Sequence, residues 1–401
     1  MQSSFLRNAL VLGLMAAVGP FAIDMYLPSL PAISADLNAS TAATQMTLMV
    51  FFITFGVAQL VYGPLSDMFG RKGPLYFAFA VFTLGGIGCL LAPTIAWLIA
   101  FRFVQGIGAA SMMVIVRAVI RDLYTGTQAA RMMSTIMLVF SVSPILAPLA
   151  GSALIVPFGW RAVFVAITLV AVLGLLLTIF ALQETRPKSE RVPVRMASVL
   201  GGFGFLLTDA RFMGLTFIGG LGMASFFAFL ASSSFVYIDH YGLTPTQFSL
   251  AFSVNAIGFI GASQFAGKLG ERFGMTAVMN AAVGLYALFA VVLAGIIFAG
   301  VDNMWVLIAL LVMAFACLGL VIPTTMVLSL EEHGSIAGMA SALGGTLQFL
   351  AGAVTITIAS AFFDGTSLPM VTVIAACALG ALALVRLTPA PREVPAMQPA
   401  E

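Results

Sequence analysis

The hydrophobic pattern of this 401-residue chain consists of long apolar runs separated by short segments that contain Gly, Pro or charged residues. An apolar run of about 20 residues is long enough to cross a bilayer as a helix, whereas a barrel strand alternates over about 10 residues. The pattern therefore predicts an all-α membrane protein with twelve transmembrane helices. The predicted spans are 9–30, 44–64, 74–92, 96–118, 130–156, 161–181, 212–236, 247–268, 275–298, 304–329, 337–361 and 368–387.

One connection is much longer than the others and separates the first six spans from the last six. It is charged, contains prolines, and includes an apolar stretch at 201–208 that we expect to form a short helix on the membrane surface. Two halves of six helices that meet at a site in the membrane are typical of transporters. We therefore predict an N-terminal bundle at 1–182, a cytoplasmic linker at 183–211, a C-terminal bundle at 212–390 and a cytoplasmic tail at 391–401.

Composition and charge agree with a membrane protein and predict its orientation. Hydrophobic residues make up 61% of the chain and charged residues 8%, whereas a soluble domain carries about 25% charged residues. Apart from Arg161, the basic residues between spans fall on one side, and such residues concentrate in cytoplasmic loops. Both termini are therefore predicted to be cytoplasmic. The basic residues of that side outside the linker are Arg7, Arg71, Lys72, Arg121, Arg131, Lys268, Arg272, Arg386 and Arg392.

Asp24 is the acidic residue that the pattern places well inside the bilayer, in the stretch PFAIDMYLPSLP at the outer end of the first span. A charge at this depth is costly, so it needs a partner or has a function. Asp24 and Arg102 each lie about 9 Å from the outer end of their helices, and we expect them to pair and to couple transport to protons. A static structural ion pair is the alternative. Gln105, three residues after Arg102, shares its helix face and could bond the arginine or a substrate.

The loop GPLSDMFGRK, at 63–72, combines glycines with an acid and two bases, and the other half repeats part of it. GKLGERFG at 267–274 lies 204 residues later and matches the first loop at four positions. The repetition suggests that the two halves arose by duplication. An ordinary solvated turn is the alternative reading of the loop.

Two further groups of residues suggest a transport pathway. Pro144, Pro148 and Gly151 in the fifth span predict a bent helix, which either gates the pathway or only fits its neighbours. Polar and aromatic residues on several spans predict a cavity with mainly hydrophobic walls that binds varied amphipathic ligands. With Asp24, Arg102 and Gln105, the proposed substrate-binding residues are Tyr26, Phe226, Phe229 and Asn255.

The remaining chemistry-bearing residues indicate no catalytic or metal site. Cys89, Cys317 and Cys377 lie within separate spans, and His240 and His333 lie on opposite faces, so no metal-ligand spacing is present. The spans contain no Ser/His pair and no His/Asp/Glu cluster, and the chain lacks a P-loop for ATP. We expect no enzyme activity, no cofactor, no metal and no nucleic-acid partner. A membrane sensor is disfavoured because the tail is too short for an output domain.

These motifs resemble the major facilitator superfamily. The loop 63–72 is similar to its signature between helices two and three, with Gly63, Asp67, Gly70, Arg71 and Lys72 in place. RFVQGIG at 102–108 is similar to its helix-four motif, and SPILAPLAG at 143–151 to its helix-five antiporter motif, with Ala147 where many members have glycine. IDMYLPSLPAI, VRAVIRDLY and the linker entry Glu184-Thr185 resemble, more specifically, the bicyclomycin/chloramphenicol-resistance drug:proton antiporters.

The resemblance implies two six-helix bundles, alternating access, and export of drug-like molecules in exchange for protons across a bacterial inner membrane. It makes Asp24 a coupling or substrate carboxylate and Arg102 its partner on helix four. It makes the loop 63–72 a conformational latch, in which Asp67 could face the N-terminus of the eleventh helix near 335–337. We expect a monomer whose energy source is the proton gradient. The alternative is an exporter of one specific metabolite, for which drug resistance is incidental.

Overall fold

The computed structural model describes residues 2–191 and 196–390, and within them the secondary structure is helical. Part of the predicted linker, 192–195, and the predicted tail, 391–401, lie outside the described residues. The α-helices are α1 Gln2–Asp24, α2 Leu30–Asp36, α3 Thr41–Phe69, α4 Lys72–Leu90, α5 Ile95–Leu123, α6 Gly126–Phe158, α7 Arg161–Phe180, α8 Met196–Thr208, α9 Ala210–Ser234, α10 Pro245–Ser263, α11 Ala266–Phe273, α12 Met275–Phe298, α13 Met304–Glu331, α14 Ala337–Ala361 and α15 Leu368–Leu387.

Twelve segments within the described residues are long and apolar enough to cross a membrane, and all twelve predicted spans fall on them. Three segments are built from two pieces: α1 continues into α2, α9 continues into a wider π-helical turn at Phe235–His240, and α10 continues into α11. The short helix expected in the linker is also present, as α8. The prediction of an all-α protein with twelve spans is confirmed.

Local capping explains where many of these helices begin and end. Side-chain oxygens accept hydrogen bonds from the free amides of the first turn, as at Ser40 before α3, Thr94 before α5 and Asp209 before α9. Gly70 after α3 and Gly274 after α11 both have a φ of +86°, a left-handed conformation that favours glycine. These two glycines occupy equivalent places in the repeated loop motif, so the repetition seen in the sequence is also present in the backbone.

The spanning helices pack as two bundles. Helices α1 and α3–α7 contact one another, α9–α15 do the same, and α3 with α14 and α6 with α10 join the bundles. We call the end that carries residues 70–71, 124–125, 181–191, 196–209 and 388–390 the basic face, and the end that carries 37–40, 91–94, 159–160, 241–244 and 299–303 the opposite face. Antiparallel succession of the spans places every loop at one of these two faces.

Among the described residues, the hydrogen bonds between the bundles lie from near the middle of the spans to the opposite face. Gln45 Nε2 donates to the Ala231 carbonyl at 3.0 Å, and Ser249 Oγ donates to the Pro148 carbonyl at 2.8 Å. Within the described residues, the cross-bundle bond nearest the basic face joins Thr346 Oγ1 to the Gly56 carbonyl at 2.7 Å. The bundles are therefore joined and closed at the opposite face, and we call this contact region the junction.

Small residues allow the helices of one bundle to approach closely. A Cβ added at Gly108 of α5 would lie 2.5 Å from the Ala78 carbonyl oxygen of α4 and 2.7 Å from Phe82 Cβ. By contrast, a Cβ added at Gly284 of α12 would meet no heavy atom within 4 Å. Close helix packing in membranes depends on such small residues.

Gly108→Ala is expected to destabilise the protein by about 1–3 kcal/mol, because the backbones of α4 and α5 and the Phe82 Cβ would have to move apart. Gly284→Ala is the matched control, and it is expected to be neutral or up to about 1 kcal/mol stabilising because alanine favours a helix. Thermal unfolding of the two variants in detergent measures the difference. Equal midpoints would show that the α4–α5 contact does not depend on this glycine.

Candidate functional site

Asp24 lies at the point where the first span changes direction. The helix α1 ends at this residue, and Pro28 and Pro31 help to start the short helical turn Leu27–Ser29 and then α2. The Asp24 side chain is buried, and its hydrogen bond within the described residues comes from Ser143 Oγ of α6 to Oδ2 at 3.4 Å. The carboxyl group therefore has one weak neutral partner and no ion pair among the described residues.

The helix α6 is held against this break in the first span. A Cβ added at Gly151 would lie 2.2 Å from the Met25 carbonyl oxygen, so glycine permits the close approach. The same helix contributes the carbonyl groups of Ile145 and Pro148, which accept hydrogen bonds from Ser253 and Ser249 of the other bundle. One face of α6 thus contacts Asp24 and another face contacts the junction.

Arg102 does not pair with Asp24, so the predicted ion pair is wrong for this structure. Its Nη1 donates to the Ala22 carbonyl at 3.2 Å and to Gln105 Oε1 at 2.7 Å. The guanidinium lies over two aromatic rings, with Cζ 4.6 Å from the ring centre of Tyr26 and 4.3 Å from that of Phe51. Cation–π contacts of this kind stabilise a desolvated guanidinium. Ala22 precedes Asp24 by two residues, about 200° around a helix. Arg102 and Ser143 therefore approach different sides of α1.

Tyr26, Arg102 and Gln105, three of the proposed substrate-binding residues, form one buried group inside the first bundle. Arg102 is fully buried, and Tyr26 OH also bonds Thr47 Oγ1 at 2.8 Å. Of the two partners considered for Gln105, the arginine or a substrate, the structure shows the arginine. The guanidinium Nε and Nη2 atoms and the Gln105 amide nitrogen have no hydrogen-bond partner among the described residues.

The other proposed substrate-binding residues lie in the second bundle. Phe226 and Phe229 of α9 belong to an aromatic cluster. The ring of Phe226 stacks on that of Phe259 with 6.0 Å between ring centres, and the ring of Phe229 packs edge to face on that of Phe315 with 5.0 Å between centres. Asn255 of α10 is buried, and its Nδ2 donates to the Ala251 carbonyl at 3.1 Å. Asp24 and these residues are carried by different bundles.

The loop 63–72 is organised around Arg71. Its side chain is 3% exposed and forms a forked contact with Asp122 of α5, at 2.7 Å from Nε and 3.1 Å from Nη2. Its Nη1 also donates to Ser66 Oγ and to Asp67 Oδ1, each at 2.8 Å. Burial by itself would lower the pKa of Arg71, but the bonds with Asp122 and Asp67 outweigh it and hold the pKa above its ordinary value.

The linker continues this network at the basic face. Glu184 accepts hydrogen bonds from the backbone amides of Arg71 and Lys72 at 2.8 and 3.1 Å, and Arg186 pairs with Asp67 at 3.1 Å. A Cβ at Gly70 would lie 2.7 Å from Glu184 Oε2, which adds a steric reason for glycine there. Lys72 Nζ donates to the Ile179 carbonyl at 3.2 Å. The first bundle and its linker are tied together here.

Two details of the predicted latch differ from the structure. The described partners of Asp67 are Arg71 and Arg186, not the N-terminus of the eleventh span at α14. Gly63 lies inside α3, where an added Cβ would make only an ordinary contact with Val114, so no turn requires this glycine. The network of the loop lies within the first bundle and linker in this conformation.

The sequence analysis did not assign roles to three residues that the structure places at these sites. They are Ser143 beside Asp24, and Asp122 and Glu184 around Arg71. Two of them had a sequence signal, because an acid at the end of a membrane helix beside a basic loop is an obvious ion-pair candidate. Ser143 had none, since serines in membrane helices usually bond their own backbone.

The cysteines and histidines agree with the sequence analysis. Cys89, Cys317 and Cys377 are buried and unpaired. His240 contacts Asp302 at the opposite face, whereas His333 lies 3.8 Å from Asp209 at the basic face. No group of three or more metal-ligating side chains occurs in the part of the chain that the structure describes.

Comparison with known proteins agrees with this architecture. The family model of the Major Facilitator Superfamily matches residues 12–356. A bicyclomycin resistance protein homolog of Haemophilus influenzae is 32% identical, with 94% of both chains covered. Multidrug resistance protein D of Escherichia coli K12 is 30% identical, with 84% of both chains covered.

The fold itself matches solved transporters at low sequence identity. The crystal structure of a D-xylose-proton symporter superimposes with a TM-score of 0.74 at 17% identity, and the match covers 96% of this chain and 98% of the symporter. That likeness concerns the arrangement of helices. Together with the family match over most of the chain, it shows that this multi-pass membrane protein belongs to the Major Facilitator Superfamily of transporters.

Proposed function

We propose that the protein exports small amphipathic or aromatic drug-like compounds in exchange for protons, by alternating access. The observation that carries the proposal is Asp24, a buried carboxyl group with a hydroxyl partner and no cation among the described residues. A carboxyl group in such a place is stable when neutral, and it becomes stable as a carboxylate only when water or a ligand replaces part of its apolar surroundings. A change of conformation can therefore load and unload its proton.

The names of the relatives support this choice of substrate. One is a bicyclomycin resistance protein homolog and another a multidrug resistance protein, and both match most of this chain. The aromatic cluster around Phe226 and Phe229 would provide the apolar wall of the binding site, and Asn255 a hydrogen-bonding group. Export of one particular metabolite is the second candidate, which a single titratable carboxyl group at Asp24 also fits.

The coupling follows from competition at one site. In the state open to the basic face, which we propose is cytoplasmic in a bacterial inner membrane, Asp24 would release its proton as substrate binds. In the state open to the opposite face, a proton would neutralise Asp24 and favour release of substrate. This cycle requires that the proton and the substrate each bind the two states with different affinity, and that they prefer different states or compete for one site. No cofactor is needed, and we propose that a monomer suffices.

Arg102 would act on this site by positioning α1 rather than by pairing with the carboxylate. Its bond to the Ala22 carbonyl fixes the helix turn just before Asp24. The loop 63–72 would act as a latch at the cytoplasmic face. The buried guanidinium of Arg71 ties the loop to α5, and the Arg71 backbone amide donates to Glu184 of the linker. Asp67, 43% exposed at its side chain, is the member free to change partners during the cycle.

Asp24→Asn is expected to abolish drug-induced proton movement, because an amide cannot exchange a proton at this depth. We would reconstitute the protein in liposomes with an imposed pH gradient and add chloramphenicol, a neutral aromatic drug, or tetraphenylphosphonium, a lipophilic cation. Wild type should show substrate-induced proton flux that falls at least about tenfold in the variant, a loss of about 1.4 kcal/mol in coupling.

Asp36→Asn is the control, since Asp36 is an exposed acid near the end of the same span, paired with Arg161. It should retain the flux. Proton flux that persists in Asp24→Asn would contradict the assignment of the coupling site. Wild type that responds to neither drug would favour the metabolite exporter.

Asp67→Asn is expected to leave the protein folded and to slow export at least about fivefold, the effect of about 1 kcal/mol on a rate. The reason is the loss of its ion pairs with Arg71 and Arg186 during latch exchange. Initial export rates and binding affinity should be measured together, and affinity should change little. Glu271→Gln, in the equivalent loop of the second half, is the control, and equal rates for wild type and Asp67→Asn would refute the latch.

A further inference from the structure

Five buried polar atoms at the junction have no hydrogen-bond partner among the described residues. The end of α9, the π-helical turn and α10 supply four of them, and α3 supplies the fifth from the other bundle. They are Ser233 Oγ, Ser234 Oγ, Tyr237 OH, Asn255 Oδ1 and Gln45 Oε1. We call this set the junction cluster.

Neighbouring polar groups at the same contact are well bonded, so the cluster is not a general property of the region. Ser249 Oγ donates across the junction and also faces the Pro245 carbonyl of its own helix at 2.9 Å. Ser253 Oγ likewise faces the Ile145 carbonyl across the junction and the Ser249 carbonyl of α10. Some junction residues thus form hydrogen bonds that hold the two bundles together. The atoms of the junction cluster are buried at the same contact and have no hydrogen-bond partner among the described residues.

The cluster residues are too closely covered to bind a ligand in this conformation. Ser233, Ser234 and Tyr237 are fully buried and Asn255 is 2% exposed. The Tyr237 ring packs on Phe248 at 6.1 Å, and its hydroxyl lies near the Asn255 amide without the geometry of a hydrogen bond. The turn Phe235–His240 contacts α2, and α9 and α10 contact the turn Leu27–Ser29 of the first bundle, so separation of the bundles would uncover this region.

A covered polar group that lacks a partner destabilises the state in which it is covered. Each such group shifts an equilibrium by about 5- to 150-fold toward the state in which water can reach it, and replacement by an apolar isostere removes the penalty. For the junction, the state favoured by the penalty is the one open at the opposite face. A protein that closes too firmly at one face would be trapped there.

We propose that the junction cluster is a built-in destabilising element, which keeps the closed junction weak enough for the opposite face to open without external energy. The inference rests on the alternating access of the proposed function, but it concerns the free equilibrium between states. It makes Tyr237, Ser233 and Ser234 determinants of that equilibrium rather than of substrate affinity. Ser249 and Ser253 have the opposing effect, because their bonds stabilise closure.

The test is the population of open and closed states without drug or pH gradient. Spin labels at Ala35→Cys on α2 and Thr246→Cys on α10, both exposed at the opposite face, report the separation of the bundles after Cys89, Cys317 and Cys377 are replaced by alanine. Tyr237→Phe keeps the ring and removes only the hydroxyl. It should shift the populations about tenfold toward the short, closed distance, and Ser233→Ala with Ser234→Ala should shift them the same way.

Ser249→Ala is the matched control and should shift the populations in the other direction, toward the long distance, because it removes a bond across the junction. Tyr237→Phe is also measured in the Ser249→Ala protein. Because that protein has a larger open fraction, a shift toward closure remains visible even if the wild type is mostly closed. No shift for Tyr237→Phe in that background, or a shift toward opening, would overturn the proposal. Because no substrate is used, this result is independent of whether drug and proton exchange.

Discussion

The cost of a charge in an apolar environment is the constraint on which this structure depends. With 61% hydrophobic residues and 8% charged ones, the chain surrounds its buried ions mostly with apolar groups, so each ion needs specific neighbours. Arg71 has two carboxylates, and Arg102 has two oxygens and two aromatic faces. Asp24 has a single hydroxyl at 3.4 Å. The two cations have several partners each, whereas the acid has a single weak one, as the proposed exchange of its proton requires.

The same constraint separates the two ends of the molecule. At the basic face, where water and charged loops are available, the linker and the loop 63–72 form a charged network around Arg71. At the opposite face, closure depends on serine and glutamine bonds to backbone carbonyls and on stacked rings such as Phe52 and Phe227, 4.2 Å apart. A neutral junction can part without separating charges, which suits a gate.

Hydropathy predicted the spans, because bilayer thickness fixes the length of an apolar helix whatever its partners are. The repeated loop was visible for a similar reason, since Gly70 and Gly274 meet one backbone requirement, a left-handed residue after a helix. The depth of Asp24 in the bilayer could not predict its contacts. Asp24 and Arg102 lie at equal depth, but depth does not say which face of α1 points toward Arg102. In the structure the Ala22 carbonyl, not the Asp24 side chain, lies against the guanidinium. The partners of Asp67 depend on linker packing, which no periodicity encodes.

The central claim is that Asp24 exchanges its proton for substrate, and infrared difference spectroscopy of the carboxyl group tests it most directly. Spectra of the purified protein in lipid would be recorded before and after addition of chloramphenicol, for wild type and Asp24→Asn. The account predicts that substrate removes a protonated-carboxyl band in wild type and that this band is absent from the variant. A protonated-carboxyl band that is unchanged by bound substrate, or that persists in Asp24→Asn, would contradict it.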